Sequence, residues 1–178
     1  LANVDVSNFE SLKGAVDATL KAFGRIDYLI NNAGVAGAED MVVDMGVDAW
    51  NYTLDANLVS NYFLMHHVAP LMKAQGSGYI LNVSSYFGGE KYLAVAYPNR
   101  ADYAVSKAGV VGFVRQLAAE VGRKGVNVNA LSLGTMNNWE GSEELARKNC
   151  IIPRAGSPAD VGAGVAWRAS REAEWVTG

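Results

Sequence analysis

The sequence has few of the features that mark secreted, membrane or nucleic-acid-binding proteins. Cys150 is the single cysteine among 178 residues, so no disulfide can form within the chain, and we expect a reducing, cytoplasmic location. No apolar run reaches the roughly 18 residues that a membrane-spanning helix needs. The 15 lysines and arginines are scattered and the net charge is −3, which gives no electrostatic case for binding nucleic acid. We therefore expect neither a membrane nor a nucleic acid as a partner.

Residues suited to metal binding or thiol chemistry are equally scarce. His66 and His67 are adjacent, whereas two histidines that hold one metal ion from the same helix are four residues apart. Cys150 has no histidine near it in the sequence that would activate it as a nucleophile. We expect core or surface roles for these residues and no metal site.

Strand-like and helix-like segments alternate along the chain, which is typical of an α/β protein with a parallel sheet and right-handed crossovers. Half of the residues are hydrophobic, enough for one domain over residues 1–178. Predicted strands cover residues 2–6, 26–31, 78–84 and 126–131. Predicted helices cover residues 7–23, 48–75, 100–122, 142–149 and 158–170. Ser7 and Ser157 are the predicted N-caps of two helices, and Pro70 suggests an irregularity within the longest one.

Tyr103 and Lys107 form the most informative pair in the sequence. Their spacing of four on a predicted helix places the phenol and the ammonium on one face. A tyrosine with an ordinary pKa of about 10 is a poor acid or base at neutral pH, and a neighbouring cation lowers that pKa. The pair can therefore exchange a proton with an alcohol oxygen. Taken alone, the short pattern also fits an unrelated tyrosine and lysine on a solvated helix.

Three further features occur together with this pair. The segment LINNAGVAG, residues 29–37, follows a strand-like run, and ILNVSSYFGG, residues 80–89, ends a second strand in two hydroxyls. Asn57 lies in a long amphipathic helix. With these motifs in this order, the whole chain resembles the short-chain dehydrogenase/reductase family. The resemblance implies a Rossmann-type, doubly wound parallel sheet and an NAD(P)-dependent oxidoreductase that interconverts a carbonyl and a hydroxyl group.

The resemblance also implies a catalytic tetrad, which maps onto Asn57, Ser85, Tyr103 and Lys107. Tyr103 would donate or accept the proton, and Lys107 would lower its pKa and bind the ribose of the nicotinamide. Ser85 would donate a hydrogen bond to the substrate oxygen. Asn57 would hold a water that links Lys107 to solvent, although a buried amide bonded to the backbone fits the residue type equally. Ser84 is expected to be a turn or capping hydroxyl.

For the cofactor, NAD or NADP, the resemblance implies contacts along three segments. Asn32, Ala33 and Gly34 would let the backbone approach the adenosine ribose closely. Asp5 and Val6 would lie beside the adenine, although Asp5 also fits a simple capping role. Gly134 and Met136 belong to the segment that covers the nicotinamide. In that segment Leu133 replaces the usual proline and Asn138 a frequent threonine, which weakens the match on the nicotinamide side.

A complete family member would have more sequence at both ends. The chain opens at what resembles the third strand of the fold, without the first two strands and their Gly-rich turn, and it ends before the last strand. We therefore expect a truncated domain in which residues 26–31 form an exposed apolar edge. The alternative function is a non-catalytic fragment or scaffold that binds no dinucleotide, because the pyrophosphate would sit on the missing turn.

Residues 25–109 are further similar to the reductase half of bacterial malonyl-CoA reductases. This similarity slightly favours NADPH and suggests malonate semialdehyde, or another small oxo compound, as the substrate. An insertion at residues 90–100 could present Lys91 or Arg100 to a substrate carboxylate, although a solvated loop is an equally good interpretation. The family resemblance also implies a homodimer or homotetramer, in which the helices at 48–75 and 100–122 pair across a two-fold axis.

Overall fold

Three parallel strands form the sheet in the computed structural model, which describes residues 3–88 and 98–178. The strands are β1 (Tyr28–Asn31), β2 (Gly78–Ser85) and β3 (Val126–Leu133), in the order β1-β2-β3. The helices are α1 (Phe9–Phe23), α2 (Val47–Leu54), α3 (Ser60–Gln75), α4 (Ala101–Val121), α5 (Ser142–Asn149) and α6 (Pro158–Arg168). In register, Tyr28 of β1 lies beside Tyr79 of β2, which lies beside Asn127 of β3.

Helices cover both faces of this sheet. On one face, β2 and β3 supply Ile80, Val126 and Val128 to a core that they share with α3 and α4. On the other face, α6 packs on the sheet: Gly164 lies over Leu131, and the Tyr28 hydroxyl donates to the carbonyl of Ala169 at 3.4 Å. Burial on both faces is most complete for β2, in which seven of the eight residues are buried, as expected of a central strand in a parallel sheet. The predicted α/β fold with a doubly wound parallel sheet is confirmed.

The strand predicted at residues 2–6 is wrong. Residue 2 lies outside the described residues, and residues 3–6 form an extended segment and a turn instead. A strand needs a hydrogen-bonding neighbour, and among the described residues no strand lies beside this segment. Helix α1 also starts later than predicted, because Asn8 rather than Ser7 is the N-cap and accepts from the Ser11 amide.

The helix predicted at residues 48–75 is continuous but changes its winding at a place that the sequence did not indicate. A π-helical turn, Asp55–Val59, separates α2 from α3. The chain passes through Pro70 inside α3 without a break in the helix. Each π turn inserts one extra residue and rotates the side chains that follow, and such turns often occur at functional sites. This one contains Asn57.

The remaining elements agree with the sequence to within two residues at each end. Ser157 caps α6 in a full capping box with Asp160, and α6 ends at Arg168. Residues 174–178 run beside β3, where the Gly178 amide donates to the carbonyl of Val128 at 2.9 Å. Among the described residues, no helix has the length and apolarity needed to cross a bilayer.

Candidate active site

Ser85 and Tyr103 meet at the carboxyl end of the sheet. Ser85 is the last residue of β2 and is buried, and its hydroxyl lies close enough to the phenol of Tyr103, in the first turn of α4, to act on the pKa of that phenol. Ser84, on the opposite face of the strand, instead donates to the main-chain carbonyl of Lys107 at 2.9 Å. The alternation of side chains along a strand therefore gives the two hydroxyls different partners. Ser85 lines the cavity beside Tyr103, and Ser84 links β2 to α4.

Lys107 is buried beside this pair. Its Nζ donates to the carbonyl of Val83 at 2.9 Å and lies 5.7 Å from the centre of the Tyr103 ring. Burial disfavours the charged form and lowers the pKa of Lys107 to about 8. The sequence prediction that the phenol and the ammonium share one helix face is thus reproduced by the geometry.

The pKa of Tyr103 does not follow the expectation that Lys107 would lower it. Burial raises the pKa of the Tyr103 phenol, while the nearby Ser85 hydroxyl and the positive charge of Arg100 act in the opposite direction. The ammonium of Lys107 is directed at Val83 rather than at the phenol oxygen. Arg100 is therefore the cation that favours the Tyr103 phenolate in this structure, and the sequence had suggested it only as a substrate ligand.

Asn57 lies behind the site with no exposed surface. Its side chain accepts from the amide of Val35 at 2.8 Å and donates to the carbonyl of Val35 at 3.0 Å and to Ser106 Oγ at 3.1 Å. The described contacts therefore match the alternative interpretation of Asn57, a buried amide bonded to backbone. The π-helical turn directs this side chain at the loop that follows β1, which it holds in place.

Most of the predicted site residues line one cavity of about 1520 Å³. Those that do so are Asn32, Gly34, Ser85, Tyr103, Lys107, Gly134 and Met136. A smaller groove of about 250 Å³ lies along the open edge of β1, and Val6, Asn32 and Ala33 line it. Asp5 is exposed, and its carboxylate accepts from the amide and hydroxyl of Ser7, as a local cap would. The structure thus separates the predicted cofactor residues into two neighbouring hollows that share Asn32.

Arg100, one of the two residues predicted to bind a substrate carboxylate, lies at the larger cavity. Arg100 lines it with 22% of its side chain exposed, and its Nη1 donates to the carbonyl of Ala36 at 3.0 Å. The other candidate, Lys91, lies outside the described residues, as does most of the insertion at 90–100. Sequence reasoning missed the buried Asp102 altogether, because an acidic residue in the first turn of a helix usually needs no more explanation than the helix dipole.

Comparisons with known proteins agree with this geometry. A family model described as enoyl-(acyl carrier protein) reductase matches residues 1–178. Nodulation protein G of Azospirillum brasilense is 34% identical over 184 residues, which cover 100% of this chain and 72% of the relative. The 3-oxoacyl-(acyl-carrier-protein) reductase FabG of Vibrio cholerae is 32% identical, with 98% of this chain and 72% of the relative covered. Glucose 1-dehydrogenase 2 of Bacillus subtilis is 31% identical, with 98% and 69% covered.

Two solved structures are similar over most of the chain. The C-domain of a bacterial malonyl-CoA reductase with NADP is 75% identical, with a TM-score of 0.72, and the match covers 88% of this chain and 22% of that one. A 3-oxoacyl-(acyl carrier protein) reductase from Brucella melitensis with bound NAD is 30% identical, with a TM-score of 0.87, and the match covers 99% of this chain and 66% of that one. The chain therefore spans about two thirds of the second protein and a smaller part of the first.

Proposed function

The chain belongs to the short-chain dehydrogenase/reductase family, and on that premise we propose that the protein containing it interconverts a carbonyl and a hydroxyl group with NAD or NADP, using Tyr103 as the proton donor and acceptor. The observation that carries this proposal is that Ser85, Tyr103 and Lys107 line one cavity, with the Ser85 hydroxyl close enough to the Tyr103 phenol to act on its pKa. Two hydroxyls that line one cavity close to each other are suited to bind a carbonyl oxygen.

The proton chemistry follows from this arrangement. The nicotinamide, when bound, supplies the hydride that reduces the carbonyl carbon. Ser85 would donate a hydrogen bond to the substrate oxygen and stabilise the negative charge that develops there. Tyr103 would then protonate that oxygen, and it would take the proton back in the oxidative direction. Because burial keeps the pKa of Tyr103 above its usual value, the phenol is held in the protonated form that a reduction requires.

The residues around the cavity fit a dinucleotide. The cavity exceeds the several hundred Å³ that small-molecule sites usually occupy. Asn32, Gly34, Gly134 and Met136 line it, and Lys107, which lines it as well, would bind the ribose hydroxyls. Ala33 and Val6 lie in the neighbouring groove, where an adenosine could extend, and Asp5 would have to leave Ser7 to contact it. The NADP-bound protein at 75% identity favours NADPH.

For the substrate, we propose malonate semialdehyde or another small oxo acid. The similarity to a malonyl-CoA reductase supports this choice. A charge argument supports it as well, because the guanidinium of Arg100 lines the same cavity and lies close enough to Tyr103 to affect its pKa. A carboxylate bound to Arg100 would place a carbonyl one or two bonds away near the Tyr103 hydroxyl. A cytoplasmic location stays a prediction.

Cofactor binding and turnover, measured on the whole encoded protein, test this proposal. We expect fluorescence titration to show saturable binding of NADPH, with weaker binding of NADH. We expect reduction of malonate semialdehyde to be faster than reduction of acetoacetyl-CoA, and both to be faster than oxidation of glucose. A protein that binds neither dinucleotide would support the alternative, a non-catalytic scaffold. Fast turnover of acetoacetyl-CoA with none of the oxo acid would keep the reaction class and reject the substrate.

A further inference from the structure

The carboxylate of Asp102 joins three segments that surround the candidate active site. Asp102 has no exposed surface and stands one residue before Tyr103 in the first turn of α4. Its Oδ1 accepts from the backbone N–H of Tyr103 at 2.7 Å. Its Oδ2 accepts from the N–H of Ala38 at 2.9 Å and from the hydroxyl of Thr53, on α2, at 2.6 Å. One side chain thus connects the start of α4, the end of α2 and the loop after β1.

The loop after β1 is closed tightly over this carboxylate. Gly37 has a φ of +82°, and a β-carbon built on it would lie 2.6 Å from Asp102 Oδ2. Arg100 fastens the same loop, through its bond to the carbonyl of Ala36 and a backbone bridge to Asp40. Residues 36, 39, 41 and 42 of this loop line the cavity. The position of the cavity wall is therefore set from the first turn of α4.

Burial of this carboxylate is costly, because in the described part of the chain no lysine or arginine forms an ion pair with Asp102. Its partners are two amides and a hydroxyl. A buried carboxylate held by neutral donors loses its hydration, and an apolar side chain of similar size would carry no such penalty. What the carboxylate supplies is geometry, because three directed hydrogen bonds converge on it from separate segments.

We propose that Asp102 is a positioning residue for the carbonyl chemistry, an inference that rests on the function proposed above. It fixes the backbone of Tyr103, and with it the phenol, against the loop that forms the wall of the cavity. Asp102 directly precedes Tyr103 in the chain and binds its N–H, so loss of the carboxylate should move the phenol away from Ser85. A displacement of about 1 Å at a reacting group can lower a rate by roughly 100-fold.

Replacing Asp102 in the whole protein tests this role. We expect Asp102→Ala to lower kcat for malonate semialdehyde by about 100-fold and to raise KM, with the Kd for NADPH changed by less than about twofold. Asp102→Asn keeps one oxygen for Ala38 and Thr53 but turns its NH₂ group towards the Tyr103 N–H. It should therefore recover part of the loss, with kcat reduced by about tenfold. Thr53→Val removes one of the three bonds and should lower kcat by a smaller factor.

A buried residue elsewhere separates positioning from stability. Met72 is fully buried in the core and takes no part in the site, so Met72→Ala should lower the melting temperature while kcat per folded molecule stays at the wild-type value. If Asp102→Ala kept kcat within about threefold of wild type per folded molecule, the inference would be wrong. Should Asp102→Ala fail to fold, Asp102→Asn and Thr53→Val decide the matter, and wild-type kcat in both overturns the inference.

The wild-type protein distinguishes failure of this inference from failure of the proposed function. A wild type that reduces no carbonyl with either dinucleotide overturns the proposed function and this inference with it. An active wild type whose Asp102 and Thr53 variants are equally active overturns the inference alone. Loss of kcat that tracks NADPH affinity rather than KM for the carbonyl also counts against it, because the inference assigns Asp102 to the placement of Tyr103 and not to the cofactor.

Discussion

A β-carbon built on Gly34 would lie 2.9 Å from Asn57 Oδ1 and 3.5 Å from the Nζ of Lys107. The glycine therefore lets the chain after β1 pass directly over the two buried polar groups of the candidate site. From the sequence we expected this glycine to make room for the adenosine ribose. In the structure the close approach is to the site's own side chains, because Asn57 holds the next residue, Val35, by two hydrogen bonds.

Gly34→Ala should consequently damage the site more than the fold. The added methyl group must push the Asn57 amide or the loop aside, and we expect kcat to fall by roughly tenfold or more as Lys107 and Asn57 shift. Gly112→Ala is the matched control, since Gly112 lies in α4 with nothing near its β-carbon, and it should stabilise the protein by about 0.5–1 kcal/mol. Steady-state kinetics and thermal melts of both variants check this. Equal kcat values in the two would contradict the argument.

The sequence predicted what depends on local pattern and on general rules of parallel sheets. Ser85 and Tyr103 were expected at one end of the sheet, because strand ends and the helices that follow them meet there. The strand at residues 2–6 could not be judged in this way, because its apolar pattern is that of a strand but no strand among the described residues lies beside it. The π-helical turn is also invisible locally, since its residues, DANLV, read as ordinary helix.

Asp102 shows why part of the site escaped prediction. Its partners Thr53 and Ala38 are 49 and 64 residues away along the chain. Nothing in the spacing of these residues indicates that they meet, and a threonine within a helix carries no signal of its own. The contribution of Arg100 to the pKa of Tyr103 is hidden in the same way, because it depends on distance in space and on burial. Long-range electrostatics therefore required the folded structure.

Arg100→Ala should separate substrate recognition from proton transfer. Loss of the guanidinium should raise KM for malonate semialdehyde by roughly 10- to 100-fold, the value of a charge-assisted hydrogen bond. Arg100 also lowers the pKa of Tyr103, so the variant should raise that pKa. The resulting change in kcat should be the same for malonate semialdehyde and for propanal, which has no carboxylate. KM for propanal should stay at the wild-type value. A parallel rise of KM for both aldehydes would mean that Arg100 acts on the shape of the cavity instead.

Buried Lys107 should make stability depend on pH. Its pKa is about 8 in the folded protein and 10.5 when unfolded, so between these values the unfolded chain binds more protons and stability rises with pH. The whole effect is about 3 kcal/mol. Lys107→Met should abolish this rise of stability with pH. At pH 7 it should stabilise the protein by about 1–2 kcal/mol, because the lost hydrogen bond to Val83 offsets part of the gain.

Urea unfolding at a series of pH values below 10 measures how the free energy of unfolding depends on Lys107, because tyrosines do not yet ionise strongly in that range. The raised pKa of Tyr103 works in the opposite direction above pH 10, where the unfolded phenol ionises first and stability falls. Lys73→Met replaces an exposed lysine of α3 and should keep the wild-type rise. A Lys107→Met protein that still gained stability from pH 8 to 10 would show that another group is responsible.

Assembly of the whole protein into a dimer or tetramer should involve the outer face of α3 and α4. Tyr62 is 49% exposed, and its ring lies 5.8 Å from that of Phe113. Val114, the residue after Phe113, is buried in the core and cannot contribute to this face. In sedimentation at micromolar concentration, Tyr62→Lys should shift the protein to smaller species, whereas Tyr52→Lys, on exposed α2, should not. A monomeric wild type would contradict the prediction.

The roles of Tyr103 and Lys107 are separated by two substitutions in the whole protein. Tyr103→Phe removes the proton donor but keeps the ring, so kcat for carbonyl reduction should fall by about 10²- to 10⁴-fold while the Kd for NADPH stays close to wild type. Lys107→Ala should weaken NADPH binding as well as turnover, because its ammonium is proposed to hold the ribose. Fluorescence titration and steady-state kinetics on the same preparations provide both values. If Tyr103→Phe kept most of its turnover, the proton would have to come from another group, and Ser85, which lines the same cavity, would be the first residue to replace.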